Sequence, residues 1–170
     1  MSEEHPHYRK WQESLPKQSL TSKVIVETSN GDWIIVKNPH HPNWQLPGGG
    51  VDAHETPRAA AKREVLEELN VEIGEPQLLL IDSIVTRGEH GDGLMFYWKV
   101  LVSAESLKNI KFQVGELVDY KILPASGATA LMSDSVQRRL AAYFALSAEQ
   151  QSAVVYLEEG GVPEDLEMEA

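Results

Sequence analysis

Cysteine is absent from the 170 residues, which removes disulfide frameworks, zinc ribbons, thiol nucleophiles and redox pairs in one step. The absence is compatible with a reducing compartment, and a cytoplasmic location is the expectation. Basic residues are in deficit: 15 Lys and Arg stand against 26 Asp and Glu, a formal net charge of −11. Binding a nucleic-acid duplex over a broad surface depends on Lys and Arg displacing counterions from phosphates, so this balance argues against it. Small phosphorylated ligands stay admissible, because metal ions can meet their charge. Long apolar runs are missing too. The longest, Leu140 to Leu146, falls far short of the ~20 residues of a membrane span, and Met1 to His7 lacks the basic and apolar regions of an export signal. Neither membrane insertion nor export is expected. Aromatics make up only 7%, so Trp33, Trp44, Phe96 and Trp98 read first as core residues and second as stacking surfaces for a base.

What is present suffices for one domain, because a chain of this length buries roughly two-thirds of its unfolded surface. Residues 1–20 read as an N-terminal arm with a short helical turn before Pro16. Residues 21–147 read as the folded domain, and 148–170 as an acidic C-terminal extension, disordered from about 158. Lys23 to Thr28 and Trp33 to Lys37 are β-rich runs separated by Ser29-Asn30-Gly31-Asp32, a strong hairpin signal. Trp44-Gln-Leu46 is a short apolar stretch leading into Pro47-Gly48-Gly49-Gly50. Thr56 before Pro57 caps a helix that runs to Leu69, where Asn70 tolerates the left-handed conformation that ends helices. Gln77 to Thr86 and Leu94 to Ser103 read as long strands joined by a Gly-rich, mobile loop. Asp119 to Leu123 is a further strand, and Ser133 to Leu146 a helix with Val136, Leu140 and Phe144 along its apolar stripe. The order β-β-β-α-β-β-β-α predicts a mixed central sheet with helices packed on it, an α/β (α+β) fold.

Glu64, Glu67 and Glu68 stand at i, i+3 and i+4, which puts three carboxylates on one side of the first of these helices. Like charges at that spacing cost a few tenths of a kcal/mol per pair. Arg63 offsets part of this, and Ala61, Val65 and Leu69 form the stripe that docks the helix. A solvated charged face is the plain reading of such a helix alone. The alternative is a site for Mg²⁺ or Mn²⁺, which take hard oxygen ligands from a few carboxylates, substrate phosphates and water. The glycines just upstream favour that alternative, because they let backbone approach the carboxylates or a ligand closely. Glu55 adds a fourth carboxylate near the helix start, where it also complements the helix dipole.

Gly49, Glu55, Arg63-Glu64-Val65, Glu67-Glu68, Asn70 and Val71 together resemble the signature of the Nudix hydrolase family, Gly-x5-Glu-x7-Arg-Glu-U-x-Glu-Glu-x-Gly-U. One position departs, with Asn70 where the family has glycine. Five charged residues and a glycine fixed over 23 positions make the pattern highly specific. The resemblance implies a Nudix-type α/β/α sandwich and a pyrophosphohydrolase that uses Mg²⁺ or Mn²⁺ to cleave a nucleoside diphosphate linked to another group. By position it implies Glu64, Glu67 and Glu68 as metal ligands, with Glu64 or Glu67 also accepting the proton of the attacking water. Arg63, with Glu55, holds the glycine loop and the ligand carboxylates in place. A further ligand or base is expected on a later loop, with Glu116 first and Asp119 second. Substrate contacts are expected from Gly49 and Gly50, and from Arg87 and His90 on the Gly-rich loop. Lys37 is a weaker phosphate contact.

His40, His41, His54 and His90 show no metal-binding spacing. Sixteen residues past the box stands Arg87, not the proline or tyrosine associated with ADP-ribose or dinucleoside polyphosphate hydrolysis. Gly50 replaces the lysine of many triphosphate-cleaving members. The partner expected is therefore a small nucleotide-type substrate of unspecified identity, and a homodimer stays open. A non-catalytic Nudix-fold nucleotide sensor is the alternative, although sensors commonly lose box carboxylates that this chain keeps. An isomerase of the isopentenyl diphosphate type needs a cysteine that is absent.

Overall fold

The structure, a computed structural model, describes residues 6–85, 92–111 and 115–163. Helix α1 (Pro6–Ser14) precedes strands β1 (Ser19–Thr28) and β2 (Asp32–Lys37). Helix α2 (Pro57–Leu69) and strands β3 (Gln77–Ile84) and β4 (Gly93–Val102) follow. Short α3 (Ala104–Leu107), β5 (Asp119–Pro124), α4 (Ala125–Ala130), α5 (Asp134–Ala145) and β6 (Val155–Glu158) complete the order. The six strands form one sheet ordered β5-β2-β1-β4-β3-β6. Pairs β1–β4 and β3–β6 are parallel and the other three antiparallel, so the sheet is mixed.

Alternation along β1 distributes the core over both faces. Val24 and Val26 join Ile34, Val36, Trp98 and the α2 residues Ala61, Val65 and Leu69 on one side. Ile25 joins Trp33, Ile35, Tyr97 and the helical residues Ala128, Leu140 and Tyr143 on the other. Two helical layers therefore sandwich the sheet, the α/β/α arrangement expected. Full burial of Val65 and Leu69 is worth roughly 1.5–3 kcal/mol each. That outweighs the tenths of a kcal/mol lost to each Glu–Glu pair on the opposite side of α2.

Several elements differ from the sequence reading. Trp44 to Leu46 makes only an isolated bridge, Gln45 to Val36, because Pro42 and Pro47 on either side have no N–H to extend it. The N-terminal turn is a nine-residue helix. Val155–Glu158, placed by sequence in the extension, pairs with β3, and Leu157 is fully buried. Helix α5 is rolled from its expected stripe. It buries Arg139, Leu140 and Tyr143, while Phe144 stays half-exposed beside Trp33. Among the described residues no helix is long and apolar enough to cross a membrane.

Candidate active site

The site begins where β2 leaves β1. The two strands pair only at Val26–Ile34 and Glu27–Trp33, so the earlier half of β1 has a free edge. The glycine run fills it. Val24 N–H donates to Pro47 O (2.8 Å), Ser22 N–H to Gly49 O (2.9 Å) and Val51 N–H to Leu20 O (2.9 Å). Gly48, at φ +125°, crosses so close that a Cβ would lie 2.1 Å from the Ser22 carbonyl oxygen. Only glycine fits there.

Helix α2 starts beside this run. Thr56 accepts the Ala59 N–H at 3.2 Å, Pro57 occupies the first turn, and Asn70 closes the helix in the left-handed conformation at φ 56°. Asn70 thus does what the resemblance assigns to glycine. Ser22 on β1 donates to the Pro57 carbonyl at 2.6 Å and accepts from Trp98 Nε1 at 3.3 Å, which anchors the helix start to the sheet.

Arg63 organises the surrounding groups. Its Nε and Nη2 make a two-point contact with Glu55 (2.9 Å each), and Nη2 also donates to the Gly50 carbonyl (2.9 Å). Nη1 donates to Glu64 (2.8 Å) and Glu67 (3.1 Å). The Arg63 hydrogen bonds hold the Glu55 carboxyl below the usual range, helped by the Asp52 N–H, and the same contacts push the Arg63 pKa up. The guanidinium stays charged at any working pH. Arg63 thereby binds the glycine loop, Glu55 and two box carboxylates into one unit.

Glu68 differs from its neighbours. Its carboxylate accepts the Gly48 N–H at 2.8 Å. Burial pushes its pKa up to about 7; the Gly48 N–H and Lys23 oppose the shift, while the charges of Glu64 and Glu116 add to it. The tertiary fold therefore brings Glu116 into electrostatic contact with the box. Asp119 instead accepts the N–H of Tyr120 at 2.9 Å from an exposed position. Among the described residues no three acidic or imidazole groups already close on a common point, since Glu64 and Glu67 both turn to Arg63. The donor set nevertheless suits a hard divalent cation: all oxygen, mutually repelling, with one member desolvated.

Lys23 is the residue that sequence reading missed. Its Nζ donates to the Gly48 carbonyl. Burial lowers its pKa, and the nearby carboxylates of Glu68 and Glu64 push back. The one signal in the sequence is a lysine opening an otherwise apolar strand run. Lys37, proposed as a phosphate contact, instead spends its ammonium on the carbonyls of His41 (2.8 Å) and Pro42 (2.6 Å). Trp33 and Trp98 are core, as expected, whereas Trp44 lines a cavity of about 250 Å³ with Lys23, Met95 and Tyr97 beneath α5. Arg87 and His90 lie outside the described residues.

Two adjacent glycines give opposite expectations. A Cβ on Gly49 would lie 2.6 Å from Glu64 Oε1, so Gly49→Ala should displace that carboxylate while changing stability by less than about 1 kcal/mol. The hydrolysis that the sequence resemblance implies should fall by roughly a hundredfold, the size of effect an ångström of misplacement produces. Gly48→Ala meets backbone at an unfavourable φ and should destabilise by roughly 3 kcal/mol or more. Denaturation curves with steady-state rates on both variants separate the two.

Glu68 also predicts a pH dependence. Its usual pKa is 4.5 and the folded value is about 7, so between those values the folded state holds a proton that the unfolded chain has lost. Stability should fall across that window as pH rises, by up to roughly 3 kcal/mol in metal-free protein. The wild type minus Glu68→Gln difference in urea denaturation, taken from pH 4 to 8, isolates this contribution. A flat difference would contradict it.

A family model described as NUDIX domain matches residues 18–144. A MutT-like protein from Streptomyces ambofaciens is 29% identical over 75 residues, covering 44% of this chain and 49% of that protein. An RNA pyrophosphohydrolase from Psychrobacter is 38% identical over 56 residues, covering 33% and 32%. The chain thus spans about half or less of the length of these relatives. Among solved structures, a bifunctional NMN adenylyltransferase/ADP-ribose pyrophosphatase from Francisella tularensis, complexed with AMP and a manganese ion, superposes with a TM-score of 0.61. The two are 19% identical, with 79% of this chain and 44% of that one covered. At that identity the likeness concerns the fold.

Proposed function

The chain belongs to the NUDIX family, and from that premise we propose that it is a pyrophosphohydrolase, cleaving the diphosphate linkage of a nucleoside diphosphate joined to another group by attack of water. The observation that carries this reading is the desolvated Glu68 carboxylate, held by Gly48 N–H and facing Glu64 and Glu116. Such an arrangement costs stability unless a cation offsets it, and a structural surface has no use for it.

Glu64, Glu67, Glu68 and Glu116 are the residues that would hold the cation, Mg²⁺ or Mn²⁺. When bound, a divalent ion neutralises diphosphate oxygens and makes water a better nucleophile near neutral pH. Glu64 or Glu67 accepts the proton of the attacking water. Arg63 and Glu55 keep the carboxylates and the glycine loop in register. Lys23, beside the Gly48 carbonyl at the edge of the cavity, would present a cation to the phosphates, and the adjoining cavity would take the rest of the nucleotide. Gly49 and Gly50 let the chain approach the substrate closely, and Arg87 and His90 contribute further phosphate contacts.

The test is a substrate panel in Mg²⁺ or Mn²⁺: nucleoside triphosphates, ADP-ribose, NADH, dinucleoside polyphosphates and sugar nucleotides. At least one should yield phosphate-bearing products, and chelation should stop the reaction. Binding without turnover across the panel would support a nucleotide-sensing domain instead.

A further inference from the structure

Strand β5 forms one margin of the sheet, and among the described residues no strand lies beyond it. Its backbone turns polar groups to that margin. Val36 on β2 exchanges both of its backbone hydrogen bonds with Gln45, donating at 2.9 Å and accepting at 3.0 Å, so its polar groups point away from β5. Tyr120 lies opposite Val36 and therefore directs its own N–H and C=O outward, and alternation along the strand does the same for Ile122. The Tyr120 N–H is met there by the Asp119 carboxylate at 2.9 Å.

Side chains divide between the two faces. Tyr120 packs against the α2-side core. Ile122 shares that face and is 37% exposed, and Val118, just before the strand, is 54% exposed. Asp119 and Lys121 are exposed on the other face, where Lys121 Nζ lies 4.7 Å from the centre of the Trp44 ring.

The order of charges separates this margin from a guarded one. Sheet edges are commonly protected by lysines or prolines that repel or block a second strand. On β5 an acid and a base stand two residues apart, and the one proline, Pro124, comes last. The opposite margin is different. On β6 the exposed residues are Tyr156 and Glu158, with no cation to match the carboxylate, and Glu158 already exchanges its backbone hydrogen bonds with Gly161 at 2.9 Å each.

We propose that β5 is a homodimer interface, in which two copies of this chain pair antiparallel about a two-fold axis at Tyr120 and join their sheets into one. Reversal about Tyr120 sets Asp119 opposite Lys121 of the second copy and Lys121 opposite its Asp119, and brings Ile122 alongside its Val118. Asp119 and Lys121 turn their backbone groups to β2, so between copies they form closely spaced, non-hydrogen-bonded pairs, the kind in which facing side chains interact most directly. Tyr120 and Ile122 supply the backbone hydrogen bonds across the axis. On pairing, the Asp119 carboxylate passes from the Tyr120 N–H to the Lys121 ammonium, and that N–H passes to the Tyr120 carbonyl of the second copy. Lys121 keeps its place over Trp44, because an ammonium has three donors. The charge order selects the occupant: a strand without an acid and a base in this order leaves Asp119 or Lys121 unmatched, whereas the chain's own β5 matches both. The same patch serves both copies, so association closes at two. This inference concerns assembly and stands apart from the pyrophosphohydrolase reading.

The experiment is sedimentation of the full chain over a concentration series, without metal or nucleotide. The wild type should show a monomer–dimer equilibrium. Asp119→Lys and Lys121→Asp each place like charges opposite one another twice per dimer, and each should raise the dissociation constant by about tenfold or more. Mixing these two variants restores both opposite-charge pairs between unlike copies, so the mixture should associate about as tightly as the wild type. Ile122→Lys, which sets a charge against Val118 of the second copy, should weaken association without help from either charge pair. Urea denaturation of each variant at a concentration where the wild type is monomeric should leave its midpoint near that of the wild type, since the substituted side chains lie at an exposed margin. A wild type that sediments as a monomer throughout overturns the proposal. So does a dimer that both charge variants leave intact, which would place the contact on another face, and so does a mixture that associates no better than its components.

Discussion

Glu67→Gln and Glu68→Gln should each reduce metal-dependent hydrolysis by about a thousandfold or more, while neither unfolds the protein. Both substitutions preserve shape and remove a negative charge from the proposed cation site, where electrostatic and proton-transfer contributions of this size arise. Their structural consequences differ. The Glu67 side chain is 47% exposed and accepts one Arg63 hydrogen bond, so its amide should alter stability by only a few tenths of a kcal/mol. Glu68 is desolvated with its pKa raised to about 7, so the neutral amide should leave metal-free protein as stable as wild type or more so above neutral pH. The diagnostic result is lost turnover with retained or increased stability. Turnover surviving in both variants would remove the box from the chemistry. A structural role for Glu68 would show itself as lost stability in Glu68→Gln. Steady-state kinetics and urea denaturation of the two proteins decide the matter.

Arg139→Ala should produce the largest loss of stability. Its partner Asp82 is fully buried, and removing one member of a buried ion pair typically costs about 3–5 kcal/mol, because the other charge is left without compensation. For a chain of this size that corresponds to a fall in Tm of roughly 10 °C. Asp82→Ala should cost a similar amount, since it strands the guanidinium and frees the Gly160 N–H that closes the turn after β6. Replacing both with neutral isosteres should cost less than either alanine substitution, because the penalty lies in the uncompensated charge more than in the lost attraction. Additive losses in the double variant would contradict this. Thermal and chemical denaturation of the three proteins, compared as a double-mutant cycle, gives the answer.

The parts of the fold legible in the sequence are those decided by local chemistry. Thr56-Pro57 starts α2 and Asn70 ends it because capping needs only a side-chain oxygen or a tolerance for positive φ within one turn. Asn30-Gly31 separates β1 from β2 for a similar reason. Glu64, Glu67 and Glu68 share a side of α2 whatever surrounds it, since helical periodicity alone places them. Strand β6 was not legible: four residues of alternating burial in a Glu- and Gly-rich stretch have too little pattern, and they become a strand only because β3 offers an unpaired edge. Nor was the roll of α5. Its pattern favours Val136, Leu140 and Phe144, yet Arg139 is turned inward by Asp82, 57 residues away in sequence.

The sequence by itself determined the box: its charges, their spacing, the helix that carries them and the glycines that precede it, because these depend on contacts within about 20 residues. Only the tertiary structure decided what surrounds that box. It carried the glycine run along the free edge of β1, half-buried Glu68 within electrostatic reach of Glu116, and set Lys23 against the Gly48 carbonyl. It also joined Asp82, Tyr97 and Arg139 from β3, β4 and α5 at one cavity. Each of these is a contact between distant segments, and burial, which raises the pKa of both Glu68 and Tyr97, exists only after the layers have packed.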